Sequence, residues 1–148
     1  MFFTASQRLT AAGARTMLQA ATAQARHEGI AVTIAIVDAG GHLLALERMD
    51  GGRFHTVYSS TTKAVCAASN KRPTARHGAQ GQGLDPLHAL GLALAAGTER
   101  WTALEGGYPI MVGSECVGGI GVSGGTGAQD AEITRAALAA VGLEAPQP

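Results

Sequence analysis

At 148 residues, 46% of them apolar, the chain is long enough to bury one hydrophobic core and too apolar to be disordered. Charged residues make up only 15%, and the formal net charge is zero. That balance argues against nucleic acid as a partner and for surface hidden in a homo-oligomer.

Cys66 and Cys116 form no CxxC pair and lie in apolar runs, so a disulfide framework and a zinc set are not expected. No apolar run approaches the roughly 20 residues that span a bilayer. The N-terminal MFFTASQRLT lacks a basic region followed by an apolar one, so the expected location is cytoplasmic, without a membrane partner. The charge is unevenly spread. No acid lies between Asp50 and Asp85, while Arg53, Lys63, Lys71, Arg72 and Arg76 give that segment a charge of +5. Such a segment is either a solvated basic face or the rim of a site for a small anionic molecule.

In chain order, residues 4–28 read as a helix, capped by Thr4 with Gln7 or by Ser6, and ended by Gly29. Residues 31–37 and 42–49 read as an antiparallel strand pair joined at Asp38-Ala39-Gly40-Gly41. Alternation along the second strand places Leu44, Leu46 and Arg48 on one face. A Ser/Thr-rich helix follows over 55–70, closed by Lys71-Arg72-Pro73. Residues 77–83 read as a mobile loop. Asp85-Pro86 is a helix start and Gly97 a stop. Residues 108–112 and 116–123 form a second hairpin, and a last helix runs over 128–141. The fold class is α+β: a single antiparallel sheet with flanking helices, in the order α-β-β-α-α-β-β-α, over one domain spanning 1–148.

The stretch from Cys116 to Asp130, CVGGIGVSGGTGAQD, concentrates the glycines. Its GxGxxG is not a dinucleotide motif, because no second parallel strand can follow. Instead, a glycine-bare strand is expected to let a flat ligand or a neighbouring subunit approach, and Gly124 to Gly127 to offer free backbone N–H groups. No Asp–His partner order makes Ser123 the nucleophile of a serine hydrolase. No histidine pairing supports a metal site. His27 suits a helix C-terminus and His42 a turn. His77 and His88 flank the glycine loop, and with His55 they place titratable groups near the basic segment, where a proton could be moved near neutral pH. Lys63 follows His55 by two helical turns, with Tyr58 and Ser59 in reach. Lys63 is either a snorkelling lysine with an exposed head or a contact for an anion or carbonyl. Glu105, Gly106 and Gly107 precede a strand and are candidates for lining a pocket.

Four segments carry a resemblance: VDAGGHLLALERMDG (37–51), TKAVCAASNKRPT (62–74), GGYPIMV (106–112) and CVGGIGVSGGTGAQD (116–130). Through them the chain resembles the GlcG/HbpS family, haem-binding and haem-degrading-like proteins also found as the C-terminal part of PduO-type proteins. The resemblance implies a profilin- or PAS-like sheet with flanking helices, and oligomers built from dimers. It makes haem or a related tetrapyrrole the candidate cofactor. On that reading the glycine face takes the ring, Arg72 or another basic residue takes the propionates, and His55, His77 or His88 is the axial ligand.

Two other readings stay open. One is a catabolic enzyme acting by proton transfer or hydration on a small carboxylated substrate. There His55 would be the acid/base, with Lys63 or Arg72 on the carboxylate. Tyr58, Glu105, Gly106, Gly107, Ser123, Gly124 and Gly125 would surround the substrate. The other is a non-catalytic sensor or assembly domain.

Overall fold

The computed structural model describes residues 1–147. Its first helix, α1 (Ala11–Glu28), starts later than the sequence suggests: Thr10, not Thr4 or Ser6, is the N-cap, and its hydroxyl accepts from Gly13 N at 3.1 Å. Leu9, just before the cap, packs against the core and fixes where the helix begins. Gly29 ends it in the left-handed region at φ +70°, as expected of a C′ glycine.

The remaining elements are β1 (Thr33–Asp38), β2 (Leu43–Arg48), α2 (Thr56–Asn70), α3 (Pro86–Ala96), β3 (Gly107–Val112), β4 (Glu115–Ser123) and α4 (Gly127–Ala139). The α+β order is therefore as expected. The two hairpins join through β1 and β4 into one antiparallel sheet, β2-β1-β4-β3. Ile34 faces Val122, and Ile36 faces Ile120, across that central seam.

Three layers result. Ile34, Ile36, Ile120 and Val122 point to one side, where Met17, Ala21 and Ala25 of α1 and Ile133 and Leu138 of α4 complete the main core. Ala35 and Val37 point to the other side, against Ala64 and Ala68 of α2. A bulge between Ile36 and Val37 breaks the alternation in β2. Leu44 is thereby turned towards the main core while Leu46 faces the α2 side, so the two leucines do not share a face.

The glycine strand serves a different purpose from the one expected of it. A Cβ on Gly119 would fall on the Ala64 carbonyl, and one on Gly121 on the Ser60 carbonyl. These glycines let α2 seat its backbone directly on β4, so neither a flat ligand nor a second subunit can reach that face. The segment 77–83 is a hydrogen-bonded loop, not a free one: His77 pairs with Gly83, and Gly78 N donates to Gln82 O at 2.9 Å.

Candidate functional site

Close seating of α2 on β4 carries Lys63 into the protein interior. Its ammonium donates to Val122 O at 2.7 Å and to Asp130 Oδ2 at 3.1 Å. Lys63 and Asp130 are 4% and 2% exposed, so this is a buried ion pair, and the lysine has no exposed head. Asp130 Oδ1 also accepts from Gly125 N at 2.9 Å. Burial pushes the Asp130 carboxyl above the usual carboxylate range, with Lys63 pulling it back. Gly106, at φ +110°, leaves room for the pair: a Cβ there would lie 2.8 Å from Asp130 Cβ and 3.1 Å from Lys63 Nζ.

This pair borders a cleft of about 370 Å³ that is also lined by Glu105, Ser123, Gly124 and Gly125. Ser123 Oγ is hydrogen-bonded to Ser59 Oγ at 2.6 Å. Lys63, Glu105, Ser123, Gly124 and Gly125 thus come together as the sequence suggests, with Gly106 packed on the pair. Gly107 is spent differently, since a Cβ there would meet the Lys63 carbonyl at 2.5 Å. The N–H groups of the glycine turn are not free as expected. Gly125 N goes to Asp130, and Thr126 N to Gln129 Oε1 at 2.9 Å in a capping box. Asp130 was not a sequence candidate. The signal for it was Lys63 itself, a cation on a helix face of Ala64, Cys66 and Ala67 that required a buried partner.

The histidine candidates do not converge. His55 stands exposed at the N-cap position of α2, its ring edge-on to Phe54, and does not meet Lys63. Tyr58 is exposed. His88 is exposed on α3 and borders a shallow cleft with Asp85 and Leu92. His77 and Arg72 line a separate small pocket. Among the described residues, no three His, Cys, Asp or Glu side chains come together as a metal site. Both cysteines are free thiols, and burial pushes the Cys66 thiol up.

A second cavity holds the histidine that sequence reasoning passed over. His42 opens β2 and folds back across the turn, placing Nδ1 3.3 Å from Asp38 Oδ1. The ring lies over Gly40, 2.9 Å from where a Cβ would sit. Asp38 Oδ1 also accepts from Gly40 N at 2.9 Å and from His42 N at 3.0 Å. The backbone bond from His42 is the main cause that holds the Asp38 carboxyl below its usual range; burial opposes it, and the Gly40 bond and the His42 side chain add to the lowering. The carboxyl therefore stays ionised near neutral pH beside one nitrogen of the imidazole, whose side chain is 83% exposed. The cavity measures about 620 Å³ and is walled by Leu9, Ala39 and Leu44, with Gln7 and Arg8 on its polar side. The spacing Asp38-x-x-x-His42 was the readable signal, and it looked like turn chemistry alone.

A third hollow, an open groove of about 550 Å³, runs between α3 and residues 98–104 and is lined by Leu90, Trp101, Leu104 and Arg76. No helix among the described residues is long and apolar enough to cross a membrane.

Known proteins share this architecture. Protein GlcG of Escherichia coli (strain K12) is 38% identical over 110 residues, covering 74% of this chain and 77% of the relative. The crystal structure of Klebsiella pneumoniae protein ORFY superimposes with a TM-score of 0.84 at 32% identity, covering 97% of this chain and 98% of that one. The crystal structure of the PduOC:haem complex gives a TM-score of 0.81 at 26% identity, over 95% of this chain and 100% of that one. The family model described as haem degrading protein HbpS-like matches residues 9–139, and with GlcG this relationship makes the chain a member of the HbpS-like family.

Proposed function

We propose that the chain binds a haem-type tetrapyrrole in the cavity edged by His42. The observation that carries this reading is the imidazole tethered by Asp38 at the mouth of an apolar-walled cavity. A carboxylate on one ring nitrogen orients the ring and leaves the other nitrogen for a metal. Leu9 and Leu44 suit the faces of a macrocycle, and the Arg8 guanidinium suits its carboxylates. The solved PduOC:haem complex, an overall structural match to this chain, supports the ligand class. When bound, haem supplies an iron centre whose potential follows from its axial ligand and its burial. The chain's own part is to orient His42, exclude water with the leucines and hold the carboxylates.

Titration of the purified chain with haem, followed by the Soret band, tests this. A saturable Soret shift is expected for the wild type. His42→Ala should weaken it at least tenfold, and Asp38→Asn by about 10- to 100-fold, as for other partners of a metal-binding histidine. His55→Ala, His77→Ala and His88→Ala should leave it unchanged. An unaltered titration in His42→Ala, or loss confined to one of the other three, overturns the assignment.

Self-association belongs to the same proposal. Leu87, Leu90 and Leu94 form an exposed apolar stripe on α3, which is the support for a homo-oligomer.

A further inference from the structure

The basic segment has a structural counterpart that the tetrapyrrole reading leaves unused. Between the end of α2 and the 77–83 loop lies a pocket of about 260 Å³, lined by Arg72, His77, Asn70, Thr74 and Gly78 among others. No carboxylate lines it, and no acid occurs anywhere in residues 51–84.

Arg72 is exposed, but its side chain is held in place and does not swing free. Its Nε donates to Ala79 O at 3.0 Å. Its guanidinium lies over Gly81, where a Cβ would come within 3.0 Å of Nη1 and where φ is +81°. The planar group is therefore fixed on two sides. Its Nη hydrogens have no hydrogen-bond or ion-pair partner among the described residues. Lys71 makes the turn that brings Arg72 into place: it is the only non-glycine residue at positive φ among those described, +55°, and its N–H caps α2 at Ala67 O. It ends the helix in the left-handed conformation that a glycine more often takes there. His77 is set on the opposite strand of the loop by its pairing with Gly83. Asn70 adds an amide, and Thr74 is spent, since its hydroxyl accepts from Gly107 N at 2.8 Å.

Electrostatics favour one class of ligand. The α2 C-terminus brings about half a negative charge to this end of the helix. The full charges of Arg72 and of neighbouring Lys71 outweigh it. A guanidinium with free, fixed N–H groups matches two oxygens of one carboxylate or phosphate. We infer that the pocket formed by Arg72, His77 and Asn70 is a binding site for a small oxyanion of carboxylate or phosphate type, separate from the His42 cavity.

The test uses the full-length ¹⁵N-labelled chain without haem, titrated with inorganic phosphate, with acetate, and with chloride at matched ionic strength. Saturable amide shifts confined to about residues 66–84 are expected with phosphate or acetate, and none with chloride. The stronger of the two identifies which oxyanion the site prefers. Arg72→Gln should weaken binding at least about tenfold, the loss expected for a charge-assisted pair of hydrogen bonds. Arg72→Lys should fall between, because it keeps the charge and loses the fork. If Arg72→Gln disturbs the loop, His77→Gln is the measure, since the loop pairing is through the backbone; it should weaken binding without changing the ligand-free spectrum. Unsaturable shifts, shifts centred on Arg8 and His42, or unchanged affinity in both Arg72→Gln and His77→Gln overturn the inference. The measurement is independent of haem: oxyanion binding without a Soret shift sinks only the tetrapyrrole reading, and the reverse sinks only this one.

Discussion

Among single residues, the pairing of Lys63 with Asp130 sets the largest stakes. Taking two charges out of water costs several kcal/mol each, and their attraction recovers it only with good geometry. Here the geometry is good: Lys63 has two acceptors, and both Asp130 oxygens are used. Breaking the pair is therefore worse than never having it. Lys63→Met leaves Asp130 buried beside no cation, and the expected loss is about 3–5 kcal/mol near neutral pH. The pH dependence identifies the cause. Burial already raises the Asp130 carboxyl in the folded protein, and removing Lys63 raises it further. A folded-state pKa above the unfolded value means that the native state holds its proton more tightly. That stabilising contribution is fully present below the unfolded pKa and is lost as pH rises through the folded one. The Lys63→Met deficit, measured by urea unfolding, should thus be smaller at about pH 5 than at about pH 8. The double variant Lys63→Met with Asp130→Leu should recover most of it, because no charge remains buried. A deficit that does not change with pH would show that lost packing, not the orphaned carboxylate, is responsible.

Helix α2 is the element on which the buried ion pair and the Arg72 pocket depend, because it positions Lys63, Ser59 and the turn to Arg72. Its seat on β4 is backbone against backbone, at Gly119 and Gly121. The sequence showed that something must approach this strand closely, and the nearest candidate was overlooked because it lies inside the same chain. The prediction that follows is asymmetric between glycines. Gly121→Ala would place a methyl on the Ser60 carbonyl and within 2.9 Å of Lys63 Cβ, where neither helix nor strand can yield. Overpacking of this kind costs about 1–3 kcal/mol, and contact with backbone puts it at the upper end. Gly91→Ala in α3 meets nothing within 4 Å and removes a flexible residue from a helix interior. It should raise stability by about 0.5–1 kcal/mol. Urea midpoints of the two variants, moving in opposite directions, are the check; equal shifts would mean that α2 is not seated as described.

The whole molecule separates local information from long-range information. The Asp85-Pro86 start of α3, the Gly29 stop of α1 and both hairpins were legible, because each signal sits within a few residues of the structure it specifies. The Lys63–Asp130 pair was not, since its members are 67 positions apart and meet only once β1 has joined β4. Asp38 and His42 were close enough to read together, and their turn chemistry hid the tether. Helix α3 poses the remaining question at this scale. Ala89, Leu92 and Ala93 face Cys66 and Trp101 inward, yet Leu87, Leu90 and Leu94 on the outer stripe are 78%, 56% and 67% exposed. A helix apolar on both sides belongs in an interior. His88 is its only ionisable side chain, so it offers no charge pattern for a different partner to read. Two copies of this face can meet about a twofold axis without like-charge conflict. The expected result is sedimentation of the purified chain as a dimer or larger assembly at micromolar concentration. Leu90→Glu with Leu94→Glu should shift it to the monomer while circular dichroism stays unchanged. A wild-type chain that sediments as a monomer, or a double variant that assembles as before, would place the covering of α3 elsewhere.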